Sequence, residues 1–112
     1  MGDEQILMVM TNAPDNATAH ALARAIVDSR LAACVNVLHG VHSVYRWQGR
    51  VEEATEVTLL IKTTHRHYPA LQQAIVAAHP YDLPEVIAWP LAEGYPPYLN
   101  WIVSETSPDT HA

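Results

Sequence analysis

A long run of alternating residues followed by a tight turn is the feature that most constrains this chain. From Cys34 to Trp47 the apolar and polar residues alternate, which is the two-residue period of a β-strand. Gln48-Gly49 then has the composition of a two-residue hairpin turn, and the alternation resumes from Arg50 to Thr63. The arms of this predicted hairpin are far longer than the usual ~5–6 residues of a strand.

The alternation also predicts which side chains of the first arm share a face, and Gly40 is expected to form a bulge or bend. In the second arm, Glu56, Thr58, Leu60 and Lys62 are expected on the face opposite to Val57, Leu59 and Ile61. The residues of the first arm that share one parity are Val35, Val37, Val41, Tyr45 and Trp47.

The segments before and after the hairpin complete a recognisable order of elements, β-α-β-β-α-β with a further helix at the end. This order is that of an α+β, ferredoxin-like split βαβ sandwich. In chain order the other elements are a strand at Ile6–Met10, a helix capped by Asp15 and ending near Arg30, a helix capped by Thr64 or Tyr68 with Pro69 in its first turn, a strand at Glu85–Leu91, and a helix opened by Pro96 and Pro97.

The length of 112 residues fits a single domain over residues 1–112, with an ordered core over about 5–106. Charged residues are only 16% of the chain, against a usual share of about 25%. The long hairpin edges also need cover, so self-association is predicted. A formal net charge of −6 disfavours nucleic acid as a partner.

Two further features bear on the expected location of the protein. The sequence contains one cysteine, Cys34, which cannot form an internal disulfide and suits a reducing compartment. It shows neither a signal peptide nor a membrane span. We therefore predict a cytoplasmic protein that makes no membrane contact. We also predict that Cys34 is a buried structural thiol without a cation nearby.

Five short motifs, which occur in a fixed order, resemble those of the CutA divalent-cation tolerance proteins. The resemblance covers about Met8 to Thr106. It implies a ferredoxin-like homotrimer, similar in architecture to PII signal transducers and linked to tolerance of copper and other divalent metals. The motifs are Leu31-Ala-Ala-Cys34-Val-Asn36, Tyr45-x-Trp47-x-Gly49, Glu56 with Lys62-Thr63, His79-Pro-Tyr81-Asp-Leu-Pro84-Glu85, and Tyr98-x-x-Trp101.

The loop that begins at His79 is the candidate site for a metal ion, with Asp82 and Glu85 as oxygen donors. His79 is either a helix C-terminal residue stabilised by the helix dipole or a ligand for Cu(II) or another divalent cation. Some bacterial relatives combine a cysteine with two adjacent histidines, where this chain has Thr11 and Ala78 beside His79. Any ion is therefore predicted to bind weakly and not through Cys34, and no cofactor is required.

A second set of motif residues has two interpretations. Aromatic side chains are enriched at subunit interfaces, so these residues either fill such an interface or line an inter-subunit cleft for a small anion, a metabolite or an unidentified protein partner. An enzyme ranks third among the possible functions, because the sequence shows neither a nucleophile–base pair nor a cofactor motif. The residues are Tyr45, Trp47, Glu56, Lys62, Tyr81, Tyr98 and Trp101.

Overall fold

The order of helices and strands confirms the fold predicted from the sequence. The computed structural model describes residues 4–107, so the ends of the predicted domain lie outside the described residues. None of the described helices has the length and apolar character needed to cross a membrane. The elements are β1 (Ile6–Ala13), α1 (Asn16–Asp28), β2 (Cys34–Trp47), β3 (Arg50–Thr64), a 3₁₀ turn (His65–His67), α2 (Tyr68–Ala78), β4 (Ile87–Pro90) and α3 (Pro96–Thr106).

The four strands form one antiparallel sheet in the order β2-β3-β1-β4. One face, which we call the helix face, packs against α1 and α2 and forms the hydrophobic core. Alternate residues of each strand supply this face, as the period of two requires. The core side chains from the sheet are Leu7, Val9, Ala13, Val57, Leu59 and Ile61, and those from the helices are Ala19, Leu22, Ile26, Leu71 and Ile75.

The opposite face of the sheet, which we call the open face, is covered only in part. The third helix lies on it, since Nζ of Lys62 is 5.7 Å from the ring centroid of Tyr98, and Ile102 of the same helix is fully buried. Beyond this helix, large apolar side chains of the open face remain exposed. They are Leu38, Ile87 and Trp89.

The hairpin of β2 and β3 contains one bulge. Leu38 lies opposite Thr58, whereas Val41 lies opposite Glu56, so β2 holds one extra residue between these pairs. Gly40 has φ +72°, a left-handed conformation that glycine adopts without steric cost. The bulge predicted at Gly40 is therefore confirmed.

The bulge also makes one prediction wrong. Val35 and Val37 lie opposite the core residues of β3 and share the helix face, but Val41, Tyr45 and Trp47 lie opposite Glu56, Glu52 and Arg50 respectively. Directly opposed residues share a face, so these three side chains belong to the open face. One inserted residue has reversed the parity of the strand.

The tip of the hairpin and the first helix follow local rules. Gln48 and Gly49 have φ values of 49° and 83°, as a turn with two left-handed residues requires. Asp15 caps α1 by accepting a 2.8 Å hydrogen bond from the backbone N–H of Thr18. The predicted cap of α2 was wrong, because its N-cap residue is His67, which makes no capping side-chain bond.

The lengths of β1 and β4 differ from the predictions, because backbone pairing with the neighbouring strand determines where each strand ends. The first strand continues through Ala13, since Thr11–Ala13 pair with Val57–Leu59 of β3. The fourth strand is shorter than predicted and spans Ile87–Pro90, since only Leu7–Met10 of β1 pair with it.

Thr11 carries a testable consequence for stability. Its side chain is fully buried, and its Oγ1 has no hydrogen-bond partner among residues 4–107. We expect Thr11→Val to raise the free energy of unfolding by about 1 kcal/mol, because it removes an unsatisfied polar group at nearly constant volume. Denaturant unfolding at one fixed protein concentration measures this change.

Thr63 is the matched control for this substitution. It is equally buried, but its Oγ1 donates a 2.7 Å hydrogen bond to the carbonyl oxygen of Leu31. Thr63→Val should therefore lower the free energy of unfolding by about 1 kcal/mol. A Thr11→Val variant that is less stable than the wild type would show that the Thr11 hydroxyl does have a hydrogen-bond partner.

Candidate functional site

A cleft of about 720 Å³ lies beside the half of the hairpin that approaches the Gln48-Gly49 turn. Four parts of the chain contribute to it: the end of β1, the β2 arm, β3, and the loop between α2 and β4. The bulge at Gly40 matters here, because it turns Tyr45 and Trp47 toward the face that carries Glu56. The lining residues are Asn12, Ser43, Val44, Tyr45, Trp47, Glu56, Pro80, Tyr81, Asp82, Leu83 and Glu85.

Glu56 and Tyr81 form the polar centre of the cleft. The Glu56 side chain is only 8% exposed, and its Oε2 accepts a 2.8 Å hydrogen bond from the Tyr81 hydroxyl. Burial raises the pKa of Tyr81 above its usual value, and the hydrogen bond to the Glu56 carboxylate raises it further. Tyr81 is thus held as a neutral donor.

His79 lies behind the cleft and fixes the loop. The residue is 9% exposed, and its Nε2 lies 2.6 Å from the carbonyl oxygen of Asn12. A carbonyl can only accept, so Nε2 carries the proton. Nδ1 then accepts a 3.3 Å hydrogen bond from the backbone N–H of Tyr81. Both ring nitrogens are engaged, so neither offers a lone pair to a metal ion without loss of a bond.

Asn12 connects the loop to the sheet. Its Nδ2 donates to Oε1 of Glu85 at 3.0 Å, and its Oδ1 accepts from the Thr58 hydroxyl at 2.6 Å. The backbone carbonyl of Asn12 also accepts the hydrogen bond from His79. Asn12 therefore connects β3 with both ends of the loop, at His79 and at Glu85. Sequence analysis did not identify Asn12, and its position directly before Ala13-Pro14 was the only available signal.

Lys62 belongs to a different cluster on the open face. Its Nζ donates to Oδ1 of Asn36 at 2.8 Å and lies 3.9 Å from Sγ of Cys34. The Tyr98 ring below the ammonium stacks with Trp101, with 5.4 Å between the ring centroids. The prediction that no cation lies near Cys34 was therefore wrong, and this thiol is only half-buried.

The seven aromatic and charged motif residues therefore divide into two groups within one chain. Four of them line the cleft, and three form the Lys62 cluster beside α3. The cleft group is Tyr45, Trp47, Glu56 and Tyr81, and the other group is Lys62, Tyr98 and Trp101. The predicted metal-binding residues adjoin the first group, since Asp82 and Glu85 line the cleft and His79 supports it.

Other histidines also have partners that the sequence did not indicate. The rings of His20 and His39 stack with 5.6 Å between their centroids, and Nδ1 of His39 lies 2.6 Å from Oδ1 of Asn16. His42 pairs with Glu53 at 2.7 Å. Within residues 4–107, no three His, Cys, Asp or Glu side chains converge closely enough to hold a metal ion.

An alkaline titration tests the environment of Tyr81. The chain contains five tyrosines, and we expect Tyr81 to keep its proton above the ordinary tyrosine pKa of 10.0. Because its pKa in the folded state is raised, its stabilising contribution is present below pH 10 and is lost as the pH rises through the higher value. Tyr81→Phe should leave the tyrosinate absorbance that develops near pH 10 unchanged. A reduced amplitude would contradict this assignment.

The fold and these motifs match one known family. A family model described as CutA1 divalent ion tolerance protein matches residues 7–105. The chain belongs to the CutA1 family. The predicted resemblance to the CutA proteins is thereby confirmed.

Individual CutA relatives resemble the chain over most of its length. The Divalent-cation tolerance protein CutA of Thermus thermophilus is 46% identical over 99 residues, which are 88% of this chain and 96% of that protein. Protein CutA of Homo sapiens is 43% identical over 87% of this chain, but the match spans only 55% of the human protein. These relatives are named as tolerance proteins or simply as CutA, not as enzymes.

Solved CutA structures have the same fold. The crystal structure of CutA from Xylella fastidiosa superposes with a TM-score of 0.90 at 43% identity, covering 92% of this chain and 99% of that one. CutA1 from Oryza sativa gives a TM-score of 0.89 at 39% identity, covering 92% and 94% of the two chains. The α+β ferredoxin-like architecture of this CutA1 chain is therefore that of its family.

Proposed function

We propose that this protein acts in the cellular response to divalent cations as a cytoplasmic homotrimer. The observation that supports association is the exposed open face, where Leu38, Ile87 and Trp89 lie beside the unpaired edges of the sheet. Uncovered apolar patches and free strand edges both favour contact with another chain. The number of subunits is the one implied by the resemblance to the CutA family.

We propose further that the loop carrying His79, Asp82 and Glu85 binds a divalent ion only weakly. Asp82 and Glu85 present carboxylate oxygens at the rim of the cleft, whereas His79 must first release Asn12 or Tyr81 to become a ligand. This competition reduces the affinity, because each broken bond in a buried site has a free-energy cost. Mixed nitrogen and oxygen ligation suits Cu(II) or Zn(II).

Calorimetry with Cu(II) at about pH 7.5 tests the metal proposal. Wild type should bind with a Kd that is roughly micromolar or weaker, and Asp82→Asn and His79→Ala should each weaken binding at least about tenfold, since each removes a ligand.

Cys34→Ser is the control for this titration and should leave the affinity unchanged, since Cys34 lies beside Lys62 and does not line the cleft. Circular dichroism should confirm that each variant is folded. Nanomolar binding that is lost in Cys34→Ser but kept in His79→Ala would overturn the proposal.

A second function, binding of a small molecule in the cleft, is favoured by its size and lining. A volume of about 720 Å³ falls within the ~300–1,000 Å³ that is typical of small-molecule sites. The lining combines aromatic walls with the buried polar pair of Glu56 and Tyr81. Such a protein would be a PII-like sensor or scaffold whose ligand or protein partner acts at this cleft. An NMR titration of the protein with small-molecule probes tests whether a ligand binds in the cleft.

A further inference from the structure

Two histidines from separate elements meet on the helix side of the sheet, away from the open face. His20 lies on α1, and His39 lies on β2 within the bulge that precedes Val41. Their rings are stacked, with 5.6 Å between the centroids and 20° between the planes. The described lining of the cleft includes neither residue, so this pair is a separate feature of the molecule.

The bulge at Gly40 directs His39 toward the first helix. Bulges commonly change the direction in which a strand side chain points, and His39 contacts two residues of α1, Asn16 and His20. These two residues are four positions apart, so they lie on one side of their helix. Because α1 packs on the helix face of the sheet, the contact proposed on the open face does not involve the side of the sheet that carries this pair.

Asn16 fixes the tautomer of His39. Nδ1 of His39 lies 2.6 Å from Oδ1 of Asn16. An amide oxygen can only accept, so Nδ1 carries the proton and Nε2 of the neutral ring keeps its lone pair. Histidines that bind metal ions are held in the same way, since their other ring nitrogen donates to an oxygen that orients the imidazole. His79 differs, because both of its ring nitrogens have partners.

His20 supplies a second imidazole. Within residues 4–107 its only contact of this kind is the stack on His39, so its ring keeps a nitrogen lone pair for an ion. A Zn(II) ion holds imidazole nitrogens at about 2.0–2.1 Å, so two nitrogens on one ion are at most about 4.2 Å apart. His20 is exposed, and rotation of its side chain brings a nitrogen into this range without change to the core.

We propose that His20 and His39 together bind one divalent metal ion of the kind that prefers imidazole, Zn(II) or Cu(II), with water completing its coordination. Such nitrogen ligands do not suit Mg(II) or Ca(II), which prefer oxygen. Two protein ligands are fewer than the four of a structural zinc site, so the ion binds with micromolar affinity. The site uses no residue of the His79 loop and does not depend on the functions proposed above.

NMR titration of the intact protein with Zn(II), and separately with Mg(II), tests the pair. Calorimetry would add the heat of any binding at the His79 loop, whereas imidazole ring signals report on each histidine separately. We expect the ring signals of His20 and His39 to shift together and to give the same micromolar Kd for Zn(II). Mg(II) should leave both signals unchanged.

Removal of either histidine should weaken binding at the other. His20→Ala and His39→Ala should each weaken Zn(II) binding at the remaining ring at least about tenfold, because one imidazole is left. His42→Ala is the matched control, since His42 is also exposed on β2 but pairs with Glu53. It should leave the Kd unchanged. Circular dichroism and sedimentation should show that the three variants fold and associate as the wild type does.

Asn16 is a positioning residue in this site, and its variants test that role. Asn16→Ala removes the acceptor of the His39 Nδ1–H and should weaken Zn(II) binding about tenfold. Asn16→Asp keeps an oxygen acceptor and should bind Zn(II) at least as tightly as the wild type. Equal losses of affinity in the two variants would contradict the role assigned to Asn16.

Three outcomes would overturn the shared site. Rings that respond independently, so that neither His20→Ala nor His39→Ala affects the other histidine, would show that each imidazole binds alone. Ring signals that stay unchanged in a large excess of Zn(II) would show that no ion binds, and an equal response to Mg(II) would contradict the ligand class. None of these results bears on the proposed His79 site, which His79→Ala and Asp82→Asn test.

Discussion

Replacing both Ile87 and Trp89 by lysine should separate the proposed trimer into single chains. These side chains are 47% and 42% exposed, and both belong to the open face, where they lie opposite Met10 and Met8 of β1. Two charges buried in each interface would have no partners and would oppose association strongly. Sedimentation equilibrium at micromolar concentration should show a mass that falls from three times 12.4 kDa to that of one chain.

A control on the other side of the sheet tests whether the location matters. Val27 of α1 and Val76 of α2 are also exposed, by 38% and 49%, but they belong to the helices that cover the helix face. The double variant Val27→Lys with Val76→Lys should therefore remain a trimer. Wild-type protein that sediments as a monomer would contradict the proposed assembly, and dissociation of the control would contradict the proposed interface.

His79→Ala should lower the free energy of unfolding by about 3 kcal/mol. The substitution removes a side chain that is 9% exposed and breaks its bonds to the Asn12 carbonyl and the Tyr81 N–H. Loss of a buried side chain and loss of partners for buried polar groups each contribute a few kcal/mol. Denaturant unfolding at one fixed concentration measures the effect, since association adds to apparent stability.

His20→Ala provides the comparison for this measurement. His20 is exposed and, among residues 4–107, only stacks on His39, so its removal should change the free energy of unfolding by less than about 0.5 kcal/mol. Equal effects of the two substitutions would show that the His79 bonds do not stabilise the loop. Tyr81 signals in NMR spectra should shift in His79→Ala, because that loop positions Tyr81 against Glu56.

The sequence by itself determined the order of elements, the hairpin, its turn and the family. These features depend on properties of neighbouring residues: the two-residue period of a strand, the left-handed conformations at Gln48-Gly49 and the Asp15 cap of α1. The division of β3 into a core face and a second face was correct for the same reason.

Only the tertiary structure decided which residues form the cleft. One extra residue at the Gly40 bulge moved Tyr45 and Trp47 to the face of Glu56, and the sequence left open whether Gly40 forms a bulge, which inserts a residue, or only a bend. The partner of His79 is the Asn12 carbonyl, 67 positions away in the chain. Strand register and contacts of this kind depend on how distant segments pack, because each is fixed by burial and hydrogen bonding across the sheet.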